Sequence, residues 1–308
     1  MIGKLNSKFQ GAFIILFWIA ISSCSDDKKA KTDTATSGYL QIAADESFKP
    51  LLQAEEETFE SLYSQSKIDI QYIPEGQALE QFLKDSVEML VCGKMLDSNF
   101  IGHFRKKGYS LKQSKIASDG IAIIVNNSFK DSVITLKTIG EILQGKIRTF
   151  NEVSPNSSKD SIYVAVDKGN SSNLNLLYKK FRIQQSPAKI FAAGSNDLVI
   201  QQVISNSNYI GVIGTAMIND EESPQMQELL KKVKVLGIQL DNREIYYPFQ
   251  GDLEKYPFKR DIYAIIKGAR NGLGTGFASF IYSDRGQRII LKSGLLPVII
   301  PGREIEIK

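Results

Sequence analysis

Short segments with the pattern of β-strands alternate with amphipathic segments that have the period of α-helices, and this alternation constrains the fold most strongly. Residues 39–44 form an apolar run, and residues 51–63 carry apolar side chains at a helical period. Residues 68–73 alternate as a strand does, and a second helix follows over residues 78–83. Residues 89–92 begin a third unit. Strand-then-helix units in series predict an α/β fold.

Later segments continue this pattern with fewer helices. Residues 121–125 are an uninterrupted apolar run, which is typical of strands buried in parallel sheets. Residues 233–240 are predicted to form one strand, and the glycine-rich residues 272–276 a loop before a helix that starts at Phe277. Because Pro50 suits the first turn of a helix, we expect Ser47 to be the N-cap of that helix.

The first 23 residues have the shape of a secretory signal peptide. Two lysines precede an apolar run at residues 12–21, which is too short to span a bilayer comfortably. Residues 22–24 (SSC) resemble the cleavage site of bacterial lipoproteins, in which the chain is cut before a cysteine that is then acylated. We therefore expect Cys24 to be the lipidated first residue of the mature chain. A plain secretory signal or an N-terminal anchor with an incidental cysteine is the alternative.

Residues 24–38 contain no large apolar side chain, which is typical of a flexible, solvated tether. Asp26 and Asp27 resemble signals that send some lipoproteins to the outer cell surface, although acidic residues in a tether also serve solubility alone. The sequence thus predicts a lipid-anchored protein of the cell envelope, on the periplasmic face with outer-surface display as the alternative.

Composition excludes several classes of protein and site. Thirty-eight Lys and Arg against 34 Asp and Glu give a net charge of only +4, spread along the chain without a basic block, so no nucleic-acid partner is expected. Two cysteines in different settings exclude a disulfide framework. With one histidine in addition, they cannot build the usual zinc sites, so we expect neither a metal nor a cofactor.

Motifs that suggest catalysis or nucleotide binding are weak. Residues 140–146 (GEILQGK) satisfy most of a phosphate-loop pattern, but their apolar side chains lie on one helical face, whereas a phosphate loop is not helical. Cys92 and His103 offer a nucleophile and a base, but Cys92 ends an apolar strand, where a free cysteine is usually a small buried hydrophobe. No enzymatic activity is predicted.

Three polar turns lie between a predicted strand end and a helix start, at residues 45–47, 75–77 and 170–173. Helix N-termini offer unpaired N–H donors and a partial positive charge, so small polar residues there let an anion approach closely. Each turn taken alone is more simply an N-cap. Together they indicate an oxyanion site.

The order of segments resembles the phosphate-type solute-binding proteins of bacterial ABC importers, the PstS-like family, from about Tyr39 to the C-terminus. Residues 44–51 (ADESFKPL) are similar to the family's first turn, GSTTxxPL. Residues 136–153 (LKTIGEILQGKIRTFNEV) are similar to its segment LxxIxxIxxGxIxxWxxV. Residues 277–283 (FASFIYS) and 294–297 (GLLP) are similar to its C-terminal helix and closing strand.

The resemblance implies the type II periplasmic-binding-protein fold, with two α/β lobes joined by a two-strand hinge and a ligand held between them. Lobe one would comprise residues 39–117 and 247–308, and lobe two residues 118–246. The chain would leave lobe one near residues 116–120 and return near residues 247–260. Binding would then shift the population toward the closed form.

Carried over by position, the resemblance also implies a set of ligand-binding residues. These are Asp45, Glu46, Ser47, Gly76, Gln77, Gly93, Lys94, Ser171, Ser172 and Asn173. The chain departs from phosphate binders at several of these positions. Asp45 and Glu46 replace Ser and Thr, Asp167 matches the family's arginine, and Gly93 stands where phosphate-specific members keep an aspartate.

The resemblance implies a lipid-anchored protein that captures phosphate or a related small oxyanion and delivers it to a membrane-embedded ABC permease or another transport complex of the envelope. Two alternatives remain open. The same fold would bind a cationic or zwitterionic solute that faces Asp45, Glu46 and Asp167, or the chain would be a sensor or accessory envelope protein with a decayed site.

Overall fold

The computed structural model describes residues 33–155, 157–218, 224–268 and 272–301. The predicted signal peptide, Cys24 and most of the predicted tether lie outside the described residues. The strands are β1 (Gly38–Asp45), β2 (Ser66–Ile73), β3 (Met89–Cys92), β4 (Leu111–Asn126), β5 (Val133–Thr135), β6 (Tyr163–Val166), β7 (Lys189–Ala192), β8 (Tyr209–Gly214), β9 (Val233–Val235), β10 (Gly237–Gln239), β11 (Ile245–Tyr246), β12 (Lys259–Lys267) and β13 (Leu296–Pro297). The helices are α1 (Lys49–Leu62), α2 (Glu75–Leu83), α3 (Ser98–Lys106), α4 (Leu136–Leu143), α5 (Phe150–Val153), α6 (Ser172–Phe181), α7 (Asn196–Ser205), α8 (Pro224–Leu230), α9 (Gln250–Leu253), α10 (Leu273–Tyr282) and α11 (Asp284–Lys292).

A mixed sheet organises the described residues. It has ten strands, in the order β2-β1-β3-β12-β4-β8-β6-β7, with β13 and β9 paired to β4. One parallel group consists of β1, β2 and β3, and the other of β6, β7 and β8. Between these groups β12 and β4 run antiparallel to their neighbours. The predicted α/β fold class is confirmed.

The long strand β4 connects the two parallel groups. Its residues 111–120 pair with β12, and its residues 121–125 pair with β8. The prediction of a parallel environment for residues 121–125 is wrong, because β8 and β9 are both antiparallel to this segment. The apolar run instead reflects burial in the middle of a mixed sheet, where every residue of this stretch is buried.

Each parallel group carries its own hydrophobic clusters. Phe59 packs edge-on against Phe277, with ring centroids 5.4 Å apart, in a cluster beside β1. Two further clusters lie around β6 and β8. Phe258, just before β12, belongs to one of these, although it falls in the range that the sequence assigns to lobe one. The residue limits of the two lobes stay a prediction.

The first turn after β1 is capped by a different residue from the one predicted. Asp45 accepts a hydrogen bond from the Ser47 backbone N–H at 2.9 Å and caps a single 3₁₀ turn, Glu46–Phe48. Helix α1 then begins at Lys49 with Pro50 in its first turn, as expected. The prediction of Ser47 as the N-cap is wrong, because the extended Asp45, two residues earlier, places its carboxylate over the turn.

Two other boundaries differ from the predictions. Residues 233–240 form two strands, because β9 pairs with β4 whereas β10 pairs with β5. Helix α10 begins at Leu273, so the residues predicted as a glycine-rich loop are mostly helical. Gly276 is needed for packing, because a Cβ there would clash with the Ala35 carbonyl oxygen.

Helix α4 shows that the segment with the phosphate-loop pattern begins as a helix and not as a loop. It covers the first residues of the motif, so their N–H groups are used within the helix. Gly145 closes the helix with a φ of +67°, a conformation that favours glycine. The segment is an amphipathic helix, as expected.

Candidate ligand-binding site

Two of the three predicted polar turns meet beside the antiparallel pair β4 and β12. Ser47 follows β1, and Ser172 begins helix α6 after β6, yet their hydroxyl oxygens lie only 3.4 Å apart. Both side chains are buried. Segments that are far apart in the sequence therefore bring hydroxyl groups to one point.

Arg260 on β12 lies at this meeting point. Its Nη1 donates to Ser172 Oγ at 2.6 Å, and its Nε and Nη2 donate to the two carboxylate oxygens of Asp119 at 2.8 and 3.1 Å. Arg260 and Asp119 are direct cross-strand partners on β12 and β4. The guanidinium also lies over the Phe48 ring, 4.6 Å from its centroid. The side chain is thus held on several sides.

Asp45 uses the donors of Ser47. Its Oδ1 accepts both the backbone N–H and the hydroxyl of Ser47. Next to it, Glu46 forms an ion pair with Lys168 at 3.3 Å. The first turn therefore presents a carboxylate where the resemblance implied free donors for an anion.

In the second turn, too, a carboxylate of the protein accepts from a donor that the resemblance implied for an anion. Glu75, at the start of α2, accepts a hydrogen bond from the Gly93 N–H at 2.8 Å and pairs with Lys94 at 3.1 Å. A Cβ on Gly93 would lie 3.2 Å from Glu75 Oε2, so the Glu75 carboxylate fills the space beside this glycine. Gly76 and Gln77 are exposed, and the Gln77 N–H donates to Pro74 O within the turn.

The third turn caps helix α6. Ser171 Oγ accepts from the Leu174 N–H at 3.2 Å. Asn173 is fully buried, and its Nδ2 donates to Asn196 Oδ1 at 3.4 Å. Asp167 lies just before this turn and is 3% exposed. Burial, with a smaller contribution from the charges of Asp45 and Glu46, raises the pKa of Asp167 to about 6, although hydrogen bonds from Ser171 and from the Lys168 backbone act in the opposite direction.

We call the charged and hydroxyl groups of this region the polar cluster. Its members are Asp45, Glu46, Ser47, Glu75, Lys94, Asp119, Asp167, Lys168, Ser172 and Arg260. Desolvation raises the pKa of Asp119, although the adjacent guanidinium of Arg260 acts in the opposite direction.

Several buried polar atoms in and around the cluster have no hydrogen-bond partner among the residues that the structure describes. These are Asp45 Oδ2, Asp167 Oδ1, Asn173 Oδ1, Asn196 Nδ2 and Thr215 Oγ1. A buried polar atom without a partner costs roughly 1–3 kcal/mol. Their concentration here points to a ligand that would complete these bonds.

Other chemistry finds little support in this region. Within the described ranges, no group of three or more His, Cys, Asp or Glu side chains is arranged to hold a metal ion. Burial raises the pKa of the Cys92 thiol to about 12, and its Sγ donates to the Lys94 carbonyl oxygen. The thiol is therefore protonated at neutral pH, which does not suit a nucleophile.

Comparison with known proteins identifies the family. A family profile described as a PBP superfamily domain matches residues 29–285, which is most of the chain. The chain belongs to the PBP superfamily. In agreement with this membership, the solved structure of a putative phosphate ABC transporter substrate-binding protein with bound phosphate from Clostridium perfringens superposes with a TM-score of 0.68. It covers 85% of this chain and 100% of that one at 22% identity. The predicted two-lobed type II fold is confirmed.

Curated relatives of this PBP superfamily protein carry the name PstS. The phosphate-binding protein PstS of Staphylococcus epidermidis is 23% identical over 85% of this chain and 78% of its own length. The phosphate-binding protein PstS 2 of Streptococcus agalactiae is 23% identical, but the match spans only 42% of each chain. The resemblance to PstS-like proteins is confirmed. No helix within the described residues is long and apolar enough to cross a membrane.

Arg260, which bonds both Asp119 and Ser172 in the candidate site, is not among the residues predicted from the sequence of this PBP superfamily member. Asp119 interrupts an otherwise apolar stretch of β4, and a charge inside a buried strand usually has a partner. That signal pointed to Asp119 but gave no means of finding Arg260 on a distant strand. Glu75 lies in the second predicted polar turn but is not among the residues that the resemblance implies, and α2 begins at Glu75 itself rather than at residue 78.

Proposed function

We propose that this protein is a lipid-anchored solute-binding protein of the cell envelope that captures phosphate or a related small oxyanion for an ABC permease. Its family membership and its relatives' names support transport over catalysis. The ligand would be held between the lobes, by residues among those that the sequence suggested and by Arg260.

The convergence of Arg260, Ser172 and Ser47 carries this proposal. A guanidinium and two hydroxyl groups from three separate segments lie within hydrogen-bonding distance of a shared point. The family's arginine before α6 is replaced by Asp167, so Arg260 supplies the guanidinium from β12 instead. Arginine binds oxyanions with directed donors, which a lysine cannot reproduce.

Closure of the two lobes is the proposed mechanism. Ser47 follows β1 in one parallel group of strands, and Ser172 follows β6 in the other. A ligand that contacts both residues makes its full set of bonds only when the lobes are together, so it favours the closed form. We take residues 39–117 with 247–308 as lobe one and residues 118–246 as lobe two.

Titration of inorganic phosphate into the full chain in detergent tests the proposal. We expect saturable heat and a rise of the melting temperature with phosphate concentration, because a ligand that binds only the folded form stabilises it. Sodium chloride at matched ionic strength is the control. Absence of both signals at millimolar phosphate would contradict the proposal.

A further inference from the structure

Each of the three cationic side chains in the polar cluster pairs with one carboxylate. Two further carboxylates of the cluster have no cationic partner within the described residues. Lys94 pairs with Glu75, and Lys168 pairs with Glu46. Arg260 pairs with Asp119 through two hydrogen bonds. Asp45 and Asp167 form no ion pair within the described residues, so the cluster carries two carboxylates in excess of its cations.

Both excess carboxylates are buried and incompletely bonded. Asp45 is 1% exposed and Asp167 is 3% exposed, and each keeps one oxygen without a partner. They are close enough that the charge of Asp45 raises the pKa of Asp167, which nevertheless leaves Asp167 largely ionised at pH 7. Unpaired buried charges are strongly destabilising. A positively charged or proton-donating group beside Asp45 Oδ2 and Asp167 Oδ1 would therefore stabilise the site.

The cluster also retains donors for an anionic group. The Arg260 guanidinium has five N–H donors, of which three are used by Asp119 and Ser172. Ser172 Oγ accepts the bond from Arg260, and its own hydroxyl hydrogen is engaged only in the long 3.4 Å contact with Ser47 Oγ. The unpartnered Asn196 Nδ2 lies near this turn, because its side-chain oxygen accepts from Asn173. Donors and excess acceptors therefore occur in the same site.

A ligand with oxygens alone can bind Arg260 and Ser172 but leaves the two excess carboxylates without a partner, so it should bind more weakly than a ligand that contacts both. The Ser47 donors are already used by Asp45, and the Gly93 N–H is already used by Glu75. A dianion without a cationic group would be left with the donors of Arg260 and Ser172 and would lie beside Asp45 and Asp167, whose charges repel it. A cation alone would leave the remaining Arg260 donors unused.

We propose that the ligand is a small zwitterion that carries a phosphoryl-type oxyanion and an ammonium group. The oxyanion contacts Arg260 and Ser172, and the ammonium group contacts the unpartnered oxygens of Asp45 and Asp167. This assignment rests on the proposed function, since it uses the same oxyanion site, and it adds the second charge that the ligand carries.

Two phosphonates that differ only in the ammonium group test the proposal. Isothermal titration of the full chain in detergent at pH 7.5 would compare 2-aminoethylphosphonate with ethylphosphonate, and inorganic phosphate would be titrated alongside. We expect the amino compound to bind at least about tenfold more tightly than ethylphosphonate, as one additional charged contact implies. In Asp45→Asn and in Asp167→Asn, this preference should fall below about threefold.

The control and the contrary outcomes separate this proposal from the proposed function. Asp131→Asn makes the same charge change at an exposed position and should keep the preference. Equal binding of the two phosphonates, or tighter binding of ethylphosphonate, would overturn the zwitterion proposal, as would binding of phosphate alone. In each of these cases the oxyanion site itself would stand. If none of the three compounds binds, both proposals are wrong.

Discussion

Arg260 donates a hydrogen bond from Nη1 to Ser172 Oγ across 2.6 Å and so joins strand β12 to the first residue of helix α6. The same guanidinium is fixed from the other side by Asp119 on β4. Because a carboxylate and a hydroxyl hold it in one orientation, little conformational entropy remains to be lost when a ligand binds. This arrangement would preorganise the arginine for the oxyanion that we propose as ligand.

Replacement of Arg260 by lysine should weaken oxyanion binding while the charge is kept. Lysine offers a point charge and cannot bond Asp119 twice and Ser172 at once. We expect the affinity for inorganic phosphate, measured by isothermal titration, to fall by about ten- to a hundredfold, which is the range for a lost charged hydrogen bond. Arg105→Lys, at an exposed position on α3, should leave the affinity unchanged.

A second variant tests whether a loss of affinity in Arg260→Lys arises from the lost contact or from a folding defect. Ser172→Ala leaves the ion pair between Arg260 and Asp119 in place and removes only the hydroxyl that both Arg260 and Ser47 approach. Its affinity for phosphate should also fall, by at least about fivefold. Unchanged affinity in both variants, with wild-type melting temperatures, would remove Arg260 from the site.

Gly214→Ala should place a methyl group between Ser47 and Arg260, in the proposed oxyanion site, without straining the backbone. A Cβ there would lie 3.2 Å from Ser47 Cβ and 3.4 Å from Arg260 Nη2, and the φ of −69° suits alanine. Both neighbours would have to move by a few tenths of an ångström, so we expect phosphate affinity to fall by about tenfold or more. Gly102→Ala on α3, where nothing lies within 4 Å, is the matched control. Equal affinities of the two variants would show that Gly214 lies away from the ligand.

The sequence predicted the elements well where the information is local. Helical period and strand alternation depend on near neighbours, so β3 was found to the residue and the α/β class followed. Strand partners depend on residues far along the chain. The apolar run in β4 therefore suggested a buried strand correctly but gave the wrong orientation for its neighbours.

The site was predictable only in part, for a related reason. The turns that carry Ser47 and Ser172 could be read as helix starts, and their proximity followed from the resemblance. The use of Ser47 donors by Asp45 and the pairing of Arg260 with Asp119 depend on side-chain positions that no local pattern records. These contacts change the expected character of the site from a set of free donors to a set with excess acceptors.

Cys24→Ala should prevent processing of the predicted lipoprotein precursor. Cys24 lies outside the described residues, so this prediction depends on the sequence alone. We expect the variant to accumulate as an uncleaved precursor or to be released from membranes, as gel mobility and membrane fractionation would show. Cys92→Ala changes the other cysteine, which is buried in the folded domain, and should be processed normally. Wild-type cleavage and membrane association of Cys24→Ala would contradict lipidation.

Glu55→Gln should change how the stability of the protein depends on pH. Glu55 on α1 is fully buried, neither of its carboxylate oxygens has a hydrogen-bond partner in the described part of the chain, and burial raises its pKa to about 9. In the unfolded chain the carboxyl ionises near pH 4.5, so between these values the folded state binds the additional proton. The free energy of unfolding should therefore fall as the pH rises through this window, by on the order of 1.4 kcal/mol per unit from this group.

Glutamine cannot ionise, so the variant should lose that decline. Denaturant unfolding between pH 5 and pH 9 would measure it: the two proteins should be similar at the acidic end, and Glu55→Gln should become the more stable as the pH rises. Glu57→Gln, an exposed position on the same helix, should follow the wild-type curve. Parallel curves for wild type and Glu55→Gln would mean that Glu55 is ionised in the folded protein, and the assignment of a neutral buried carboxyl would be wrong.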